Sequence, residues 1–574
     1  ERDRERERER AAMASLTDVG FLLALLLFVT GGSSLDNGVA RTPPMGWNSW
    51  YDLAGGTSVV AMNESMVMRT ADAMVALGLR ELGYRYVNLD DGYVDGRDAS
   101  TGKLFASRER FPSGMRNLSR YVHARGLRFG VYTARCAQTC CLHPGSLNHE
   151  QLDAQTMALD WEVDFIKEDS CAGCPAGSDS LQQYTKFSDA LNKTGRPVVF
   201  ALCGISSNYF PNASAVGNMW RIGTDDGSWN TVLDNVDAAV GKSQLAGPGG
   251  WNDPCMLNSR DYQGRPLLTE LQVKAQFSVW AVLAAPLIIS GTLLRMSAET
   301  LAVYTNPEVI AVSQDPLGHA GERLSGNNTA PVSFGLDFNG PAAIAVPCQA
   351  GSISQNWTFG SVQGLPNRLR NAGGNCTNVA GGSPTGLLDV EGYCGNGTNL
   401  GFRLQNGQLQ SNLHDAGSVA AWKYCASVRT SDHWVQLGEC SDKSTAWTHD
   451  ISTGQLRMTE QSQPGGAAPR GVELCLDWQD HVLRPQETVN VWGRPLSGGA
   501  HALVFLNVAS SVRTVQCDEA CFRVLGYNES SAVLSARDLW ARKALPDFTV
   551  QEGFVAEDLA ASGGVAMIKV WRKK

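Results

Sequence analysis

At 574 residues the chain has room for a barrel of roughly 250 residues and at least one further domain. Apolar residues make up 43% of it, which excludes wholesale disorder. The 48 Lys and Arg stand against 57 Asp and Glu, giving a formal charge of −9; with no basic stripe to oppose that balance, nucleic acid is excluded as a partner.

The chain opens on a Glu/Arg repeat over residues 1–10, read as a low-complexity leader with Met13 as the expected start. Nine apolar residues, Phe21 to Val29, are followed by the small residues Gly31, Gly32, Ser33 and Ser34. That is a signal-peptide pattern, too short to cross a bilayer. Residues 1–34 are therefore expected to be leader and signal peptide, leaving no membrane segment after cleavage. Fifteen cysteines and nine Asn-x-Ser/Thr sequons point the same way, to an oxidising secretory route.

From about residue 40 to 318, apolar runs predict strands at Met45–Trp50, Tyr84–Leu89, Arg128–Thr133, Val163–Lys167, Pro197–Cys203, Met219–Thr224, Gly249–Leu257 and Pro286–Ser290. Helical patterns lie between them, among them Ser65–Leu82, Met115–Arg125, Gln151–Trp161 and Leu268–Ala285. Alternating elements with right-handed crossovers make a parallel sheet, and eight such units imply an α/β chain folded as a (β/α)₈ TIM barrel. A doubly wound open sheet is the alternative, but no Gly-rich phosphate fingerprint follows the early strands.

Polar residues gather where these strands end: Asp90-Asp91, Tyr132, Lys167 to Asp169, Cys203, Arg221 to Asp225, and Asn252-Asp253. A single acid at a strand end is as easily a helix cap or a turn. These strand ends together favour a site on the C-terminal face of the barrel. Phe165-Ile166-Lys167-Glu168-Asp169 delivers a cation and two acids together, and 56 positions on Met219-Trp220-Arg221 leads to Asp225-Asp226 in the same way. Two strand ends that each carry a carboxylate beside a cation supply what retaining glycoside hydrolysis needs, a nucleophile and a general acid. Cys171-x-x-Cys174 near Cys136 and Cys140 has spacing that would also suit zinc, and the acids would suit calcium, although Lys167 and Arg221 compete with a cation there. No metal or cofactor is expected.

After Gly318 the chain turns to short alternating runs rich in Gly, Ser and Asn, an all-β pattern. Trp357, Phe402 and Trp447 recur at intervals of 45 residues, each followed five to seven positions later by a glycine: Gly364, Gly407 and Gly454. Three such copies suggest a threefold β architecture.

Taken together, the motifs resemble those of the melibiase family of retaining glycosidases, which contains α-galactosidases and α-N-acetylgalactosaminidases. The likeness rests on Arg41-Thr42-Pro43-Pro44-Met45-Gly46-Trp47-Asn48-Ser49-Trp50, Asp90-Asp91-Gly92, Pro144-Gly145-Ser146, Asp153-Ala154-Gln155-Thr156, Gly247-Pro248-Gly249-Gly250-Trp251-Asn252-Asp253-Pro254 and Ser313-Gln314-Asp315-Pro316-Leu317-Gly318. It stops for about 150 residues and resumes at Val491-Trp492-Gly493-Arg494-Pro495-Leu496-Ser497-Gly498 and Cys517-Asp518-Glu519-Ala520-Cys521. The resemblance implies a barrel over 35–318, then an antiparallel β-sandwich domain that starts at 319–345 and finishes over 486–574. Residues 346–485 form an insertion, and Gln355-Asn356-Trp357 within it is similar to the Gln-x-Trp signature of ricin-type β-trefoil modules, implying a second carbohydrate site, with a structural insertion that binds no ligand as the alternative.

By position the resemblance makes Asp169 the nucleophile and Asp225 the acid/base, with Asp226 as the adjacent alternative. It assigns Trp50, Asp90, Asp91, Tyr132, Lys167 and Arg221 to the sugar. Lys167 would keep the pKa of Asp169 down, and the charge on Asp169 would raise that of Asp225; the two carboxyls would lie about 5–5.5 Å apart. Cys140 with Cys171 and Cys517 with Cys521 match family disulfides. The usual partner of Cys203 falls at Gly217, so Cys203–Cys255 is the replacement considered, while Cys136, Cys141 and Cys174 stay unassigned. Six cysteines in the insertion (Cys348, Cys376, Cys394, Cys425, Cys440, Cys475) allow three bridges of undetermined pairing.

Two departures bear on the substrate. The family's Glu or Ser after the fifth-strand cysteine, the reader of the sugar 2-position, is replaced by Gly204 and followed by Ile205-Ser206-Ser207-Asn208, a gap that would admit an N-acetyl group. Cys255 replaces an acid. The expected function is hydrolysis of terminal α-linked galactose from oligosaccharides or glycoconjugates, by a homodimer in an extracellular, vacuolar or lysosomal compartment. α-N-Acetylgalactosaminidase activity and a galactose-binding lectin with decayed catalysis are the alternatives.

Overall fold

The fold is that of a computed structural model. It describes residues 37–573 apart from 55–61, 172, 175–179, 205–211, 261–263, 265, 327–342, 363–364, 373–375, 380–387, 392–399, 414–421, 429–434, 441–444, 459–472 and 479–487. The expected leader and signal segment, Ile205 to Asn208, Gly364 and Cys394 lie outside the described residues.

Eight parallel strands form one sheet in the order β8-β1-β2-β3-β4-β5-β6-β7. They are β1 (Met45–Asn48), β2 (Tyr86–Asn88), β3 (Arg128–Ala134), β4 (Phe165–Asp169), β5 (Val199–Cys203), β6 (Met219–Arg221), β7 (Trp251–Asp253) and β8 (Leu287–Ile289). Just past β7, Leu257 pairs in parallel with Ile289 and closes the barrel. Every expected strand is present, and the sequence runs overshoot most of them by a few residues because buried apolar loops continue the pattern.

Parallel pairing aligns side chains that share a face. The register Tyr132↔Lys167, Asp169↔Cys203 and Arg221↔Asp253 therefore turns these residues to the same side, the barrel interior. Lower down, Tyr86, Phe165, Val199, Ala201 and Met219 pack together and fill the barrel floor. Gly130 belongs to this layer for a steric reason: a Cβ there would lie 2.0 Å from Asn88 Oδ1.

The outer layer comprises α1 (Glu64–Ala76), α2 (Met115–His123), α3 (Glu150–Gln155), α4 (Ser180–Thr194), α5 (Trp229–Ala238), α6 (Glu270–Val282), α7 (Ala298–Tyr304) and α8 (Pro307–Ser313). Their starts are chemically marked. Asn63 caps α1 through Met66 N, Ser228 and Thr269 close capping boxes on α5 and α6, and Pro307 opens α8 behind Asn306. No helix among the described residues is long and apolar enough to cross a membrane.

Beyond the barrel, a six-stranded sheet runs through 322–326, 489–496, 500–507, 564–572, 533–538 and 543–549, accompanied by a two-stranded sheet of 513–517 and 554–559. Arg494, with no exposed surface, joins it to the barrel by donating to the carbonyls of Ala281, Val312 and Ser313 at 2.9, 2.6 and 3.1 Å. The strand Glu322–Gly326 pairs with Val489–Leu496, so two neighbouring strands of one sheet bracket the insertion.

That insertion contains three four-stranded sheets around one core. The 45-residue repeat is a hairpin: Trp357, Phe402 and Trp447 each open a strand and are at most 1% exposed, and Gly407 and Gly454 take positive φ (74° and 73°) in the turns. Gln355 is buried and bonds Asp477 and the Pro347 carbonyl at 3.0 and 3.1 Å, a packing use of the Gln-x-Trp pair. Cys348–Cys475 and Cys425–Cys440 are bridged, and Cys376 is also disulfide-bonded.

Candidate active site

The expected site residues meet at the C-terminal mouth of the barrel. Asp90, just past β2, is 1% exposed and anchors one wall. Its Oδ2 accepts from Asn48 Nδ2 and from Lys167 Nζ, each at 2.8 Å, and its backbone N–H donates to Ser49 Oγ. The Asn48-Ser49-Trp50 run thus serves the site directly: Asn48 Oδ1 also receives Trp50 N at 2.9 Å, and Trp50 stays partly exposed against the barrel core.

Asp91 turns away from Asp90. Its oxygens accept the Gly92 and Cys141 backbone N–H groups, both at 2.7 Å, and it is 2% exposed. Burial pushes its pKa up to about 6, with the Asp90 charge adding to the rise and the donors from Cys141, Thr139 and Gly92 opposing it.

Asp169 ends β4. Tyr132 donates its hydroxyl to Asp169 Oδ2 at 3.0 Å, and Ser170 N–H donates to Oδ1 at 2.7 Å. Lys167 lies 5.1 Å from the Tyr132 ring centroid. The loop beyond Asp169 is tied to the loop after β3 by two bridges, Cys140–Cys171 and Cys136–Cys174. Because β3 and β4 pair in register up to Ala134↔Asp169, their loops leave the barrel side by side, and this brings the four cysteines together. With all four oxidised, the zinc reading of Cys171-x-x-Cys174 fails. The grouping of Cys140, Asp169 and Cys171 offers one free carboxylate and two bridged sulfurs.

Asp225 follows β6. Arg221 Nη1 meets its Oδ1 at 2.7 Å, and the Asp225 side chain is 54% exposed at the mouth. Asp226, by contrast, has no exposed surface and accepts Asn258 Nδ2 and Gln276 Nε2 at 2.8 and 2.9 Å behind the barrel wall. Of the two adjacent acids, Asp225 opens to the mouth and Asp226 is buried.

The electrostatics differ from expectation. Burial raises the Asp169 pKa, and Lys167, already paired with Asp90, does not overcome it; the Asp225 charge adds to the rise. Burial also works to raise Asp225, but Arg221 and Lys167 outweigh it and hold that carboxyl below its ordinary range. The Asp169 carboxyl is thus raised and the Asp225 carboxyl lowered, the opposite of the expected order. The reversal arises because Arg221 bonds Asp225 directly.

Three further expectations change. Cys203 and Cys255 are buried free thiols, not a bridge. The Arg221 guanidinium stands by both: Nη1 donates to Cys203 Sγ at 3.4 Å, and the Cys255 side chain bonds Asp226. Glu168, the second acid of the opening motif, is on the opposite face of β4 from Asp169. It has no exposed surface, neither oxygen has a hydrogen-bond partner, and burial pushes its pKa well up. The room beside Gly204 is filled by Ser170 and Tyr184: a Cβ at 204 would lie 2.3 Å from Ser170 Oγ and 2.6 Å from Tyr184 Oη. Cys517–Cys521 is bridged as expected.

The candidate site residues also left some neighbours out. Tyr51, whose N–H donates to Ser290 Oγ at 3.1 Å, lies in the field of Asp225, Cys255 and Arg221. Asp253 faces Arg221 across the strand register. Asn48 holds Asp90. Asp253 belongs to the polar strand end Asn252-Asp253 that the sequence displays, and nothing in the sequence singles out Tyr51.

Similarity searches give a consistent picture. Residues 42–315 match the family model described as alpha galactosidase A, and 486–570 match the alpha galactosidase C-terminal beta sandwich domain. The chain is 42% identical over 301 residues to alpha-galactosidase 3 of Arabidopsis thaliana, covering 52% of this chain and 66% of that one. It is 39% identical over 316 residues to the alpha-galactosidase of Oryza sativa subsp. japonica, covering 54% and 73%. Among solved structures, alpha-galactosidase I from Mortierella vinacea superposes with a TM-score of 0.60 at 22% identity, over 93% of this chain and 98% of that one; this likeness is one of fold.

Proposed function

The chain belongs to the melibiase family of α-galactosidases, and on that premise we propose that it is a retaining exo-glycosidase that removes terminal α-linked galactose, with Asp169 as nucleophile and Asp225 as acid/base. One observation carries the assignment of roles. Two carboxyls on one barrel face, from β4 and the turn after β6, feel the same cation, Lys167, while the neighbouring acids Glu168 and Asp226 are shut away behind the wall.

In the proposed reaction Asp169 attacks the anomeric carbon while Asp225 gives its proton to the glycosidic oxygen. The leaving group departs and a covalent glycosyl-enzyme forms. Asp225, now ionised, takes a proton from water; the resulting attack on the anomeric carbon breaks the ester and releases Asp169. Tyr132 and the Ser170 N–H align the nucleophile through its two oxygens. For the first step Asp169 must be ionised and Asp225 must carry a proton. Sugar hydroxyls that engage Arg221 would draw it from Asp225, letting that pKa climb as the acid role requires.

The disulfides support a secretory location, and the three hairpin copies of the insertion support its reading as a carbohydrate-binding module. The dimer stays a family expectation, open to light scattering.

The test is release of nitrophenol from paired α-galactoside and α-N-acetylgalactosaminide substrates, with NMR of the first sugar anomer. α-Galactose as first product is expected. Asp169→Asn should lower kcat by on the order of 10⁴-fold while galactose still binds; retained turnover would remove Asp169 from its role. Preference for the N-acetyl sugar would replace the galactoside reading.

A further inference from the structure

Beside Asp169 a small polar cluster joins three elements. Ser170 Oγ receives Arg135 Nε at 2.7 Å and shares a hydrogen bond with Tyr184 Oη at 2.9 Å. Arg135 also bonds Gln183 on α4, and its guanidinium lies 5.7 Å from the Tyr184 ring centroid. Tyr184 has no exposed surface, so its hydroxyl is a fixed post. The same Ser170 donates its backbone N–H to Asp169 Oδ1. Anchoring the Ser170 side chain therefore fixes the direction of an N–H that orients the carboxylate.

The neighbouring strand is shaped to allow this. Asp169 is in register with Cys203, so Ser170 and Gly204 stand side by side one step beyond their strands. Gly204 has ordinary backbone geometry, with no positive φ, so conformation does not demand glycine there. Space does. A Cβ at 204 would meet Ser170 Oγ at 2.3 Å, Tyr184 Oη at 2.6 Å and Ser170 Cβ at 3.0 Å.

We infer that Ser170 is a positioning residue for the carboxylate of Asp169 and that Ser170 and Gly204 form one size-matched pair, glycine at 204 being the condition for serine at 170. This rests on the reading of Asp169 as nucleophile. Ser170 acts on the reaction through Asp169. Any side chain at 204 displaces the Ser170 hydroxyl, breaks its ties to Arg135 and Tyr184, and swings the N–H off Asp169.

A double-mutant cycle on the full chain tests it, with nitrophenyl α-galactoside as substrate and galactose as competitive inhibitor. Gly204→Ala should lower kcat about 100-fold, the scale for misplacing a reacting group by about 1 Å. In a Ser170→Gly background the same change should cost at least about tenfold less, because two of the three clashing atoms, Ser170 Oγ and Cβ, are gone. Equal cost in both backgrounds would overturn the pairing. Ser170→Ala, which introduces no clash and keeps the fold, should lower kcat about tenfold with KM and the galactose inhibition constant within about twofold. A raised KM with unchanged kcat, or no change at all, would overturn the positioning role. Asp169→Asn separates the two levels. If it still turns over, the nucleophile reading has failed; if it is dead while the cycle is additive, the inference alone has failed.

Discussion

Arg221 sits between two demands. It is 5% exposed, bonds Asp225 directly, and stabilises the charged form of a group that must carry a proton to act as the acid. On the proposed role of Asp225 as the acid, free-enzyme activity is lost as pH rises through that group's pKa, which Arg221 lowers. Replacing Arg221 by Gln removes the lowering charge, and the alkaline limb of kcat/KM should move to higher pH. The absolute rate falls as well, since Arg221 is also expected to contact sugar, but the position of the limb does not depend on that loss. An unmoved limb in the pH profile would mean that Arg221 does not set the ionisation of Asp225. The same neighbourhood marks the limit of sequence reading. Asp225 and Asp226 are equivalent in composition, and what distinguishes them is that Asn258 and Gln276, more than 30 positions away, hold Asp226 behind the wall. Glu168 was likewise counted with Asp169 because adjacent letters look like one motif, whereas adjacent strand residues point to opposite faces.

The eight barrel strands were legible because each is a short apolar run ended by polar residues, and buried parallel strands are written that way. The 45-residue repeat was legible because a hairpin needs an apolar residue to open it and a glycine to turn it. Harder to see was Cys136–Cys174, since nothing in the spacing chooses among five nearby cysteines until β3 and β4 are set side by side. Cys203 and Cys255 looked paired for the converse reason: both follow strand ends, and the guanidinium that occupies the region between them comes from a third strand. The insertion offers a test at this scale. Its core shares no residue with the barrel core, and it leaves and re-enters through strands paired at Gly326↔Asn490. Replacing 328–487 by a short turn should leave kcat/KM on a nitrophenyl α-galactoside within about twofold, as expected when independent units are separated. A large loss in that assay would show that the insertion helps form the site.

Across the whole molecule, buried carboxyls bias stability toward acid. Asp52 and Asp91 are 4% and 2% exposed, and burial raises each to about 6. Burial also raises Glu168, Asp169, Asp226 and Asp253. A carboxyl whose pKa is higher folded than unfolded binds more protons in the folded state, so its contribution to stability falls as pH rises between the two values. For Asp52 and Asp91 that window is about pH 4 to 6, and each loses on the order of 3 kcal/mol across it. His143 and His501, lowered by burial, pull the other way as pH drops below the ordinary histidine range, but they are two against six. The surface ion pairs are screened and contribute little. Tm by calorimetry should therefore be higher near pH 5 than near pH 7. Glu168 gives the control. With no partner for either oxygen, it gains nothing from ionising, and Glu168→Met keeps its volume without the acid. That variant should raise Tm at pH 7 more than at pH 5 and flatten the slope. If Tm instead climbs from pH 5 to 7, or if Glu168→Met lowers it equally at both, the buried acids are not what sets the pH dependence of this fold.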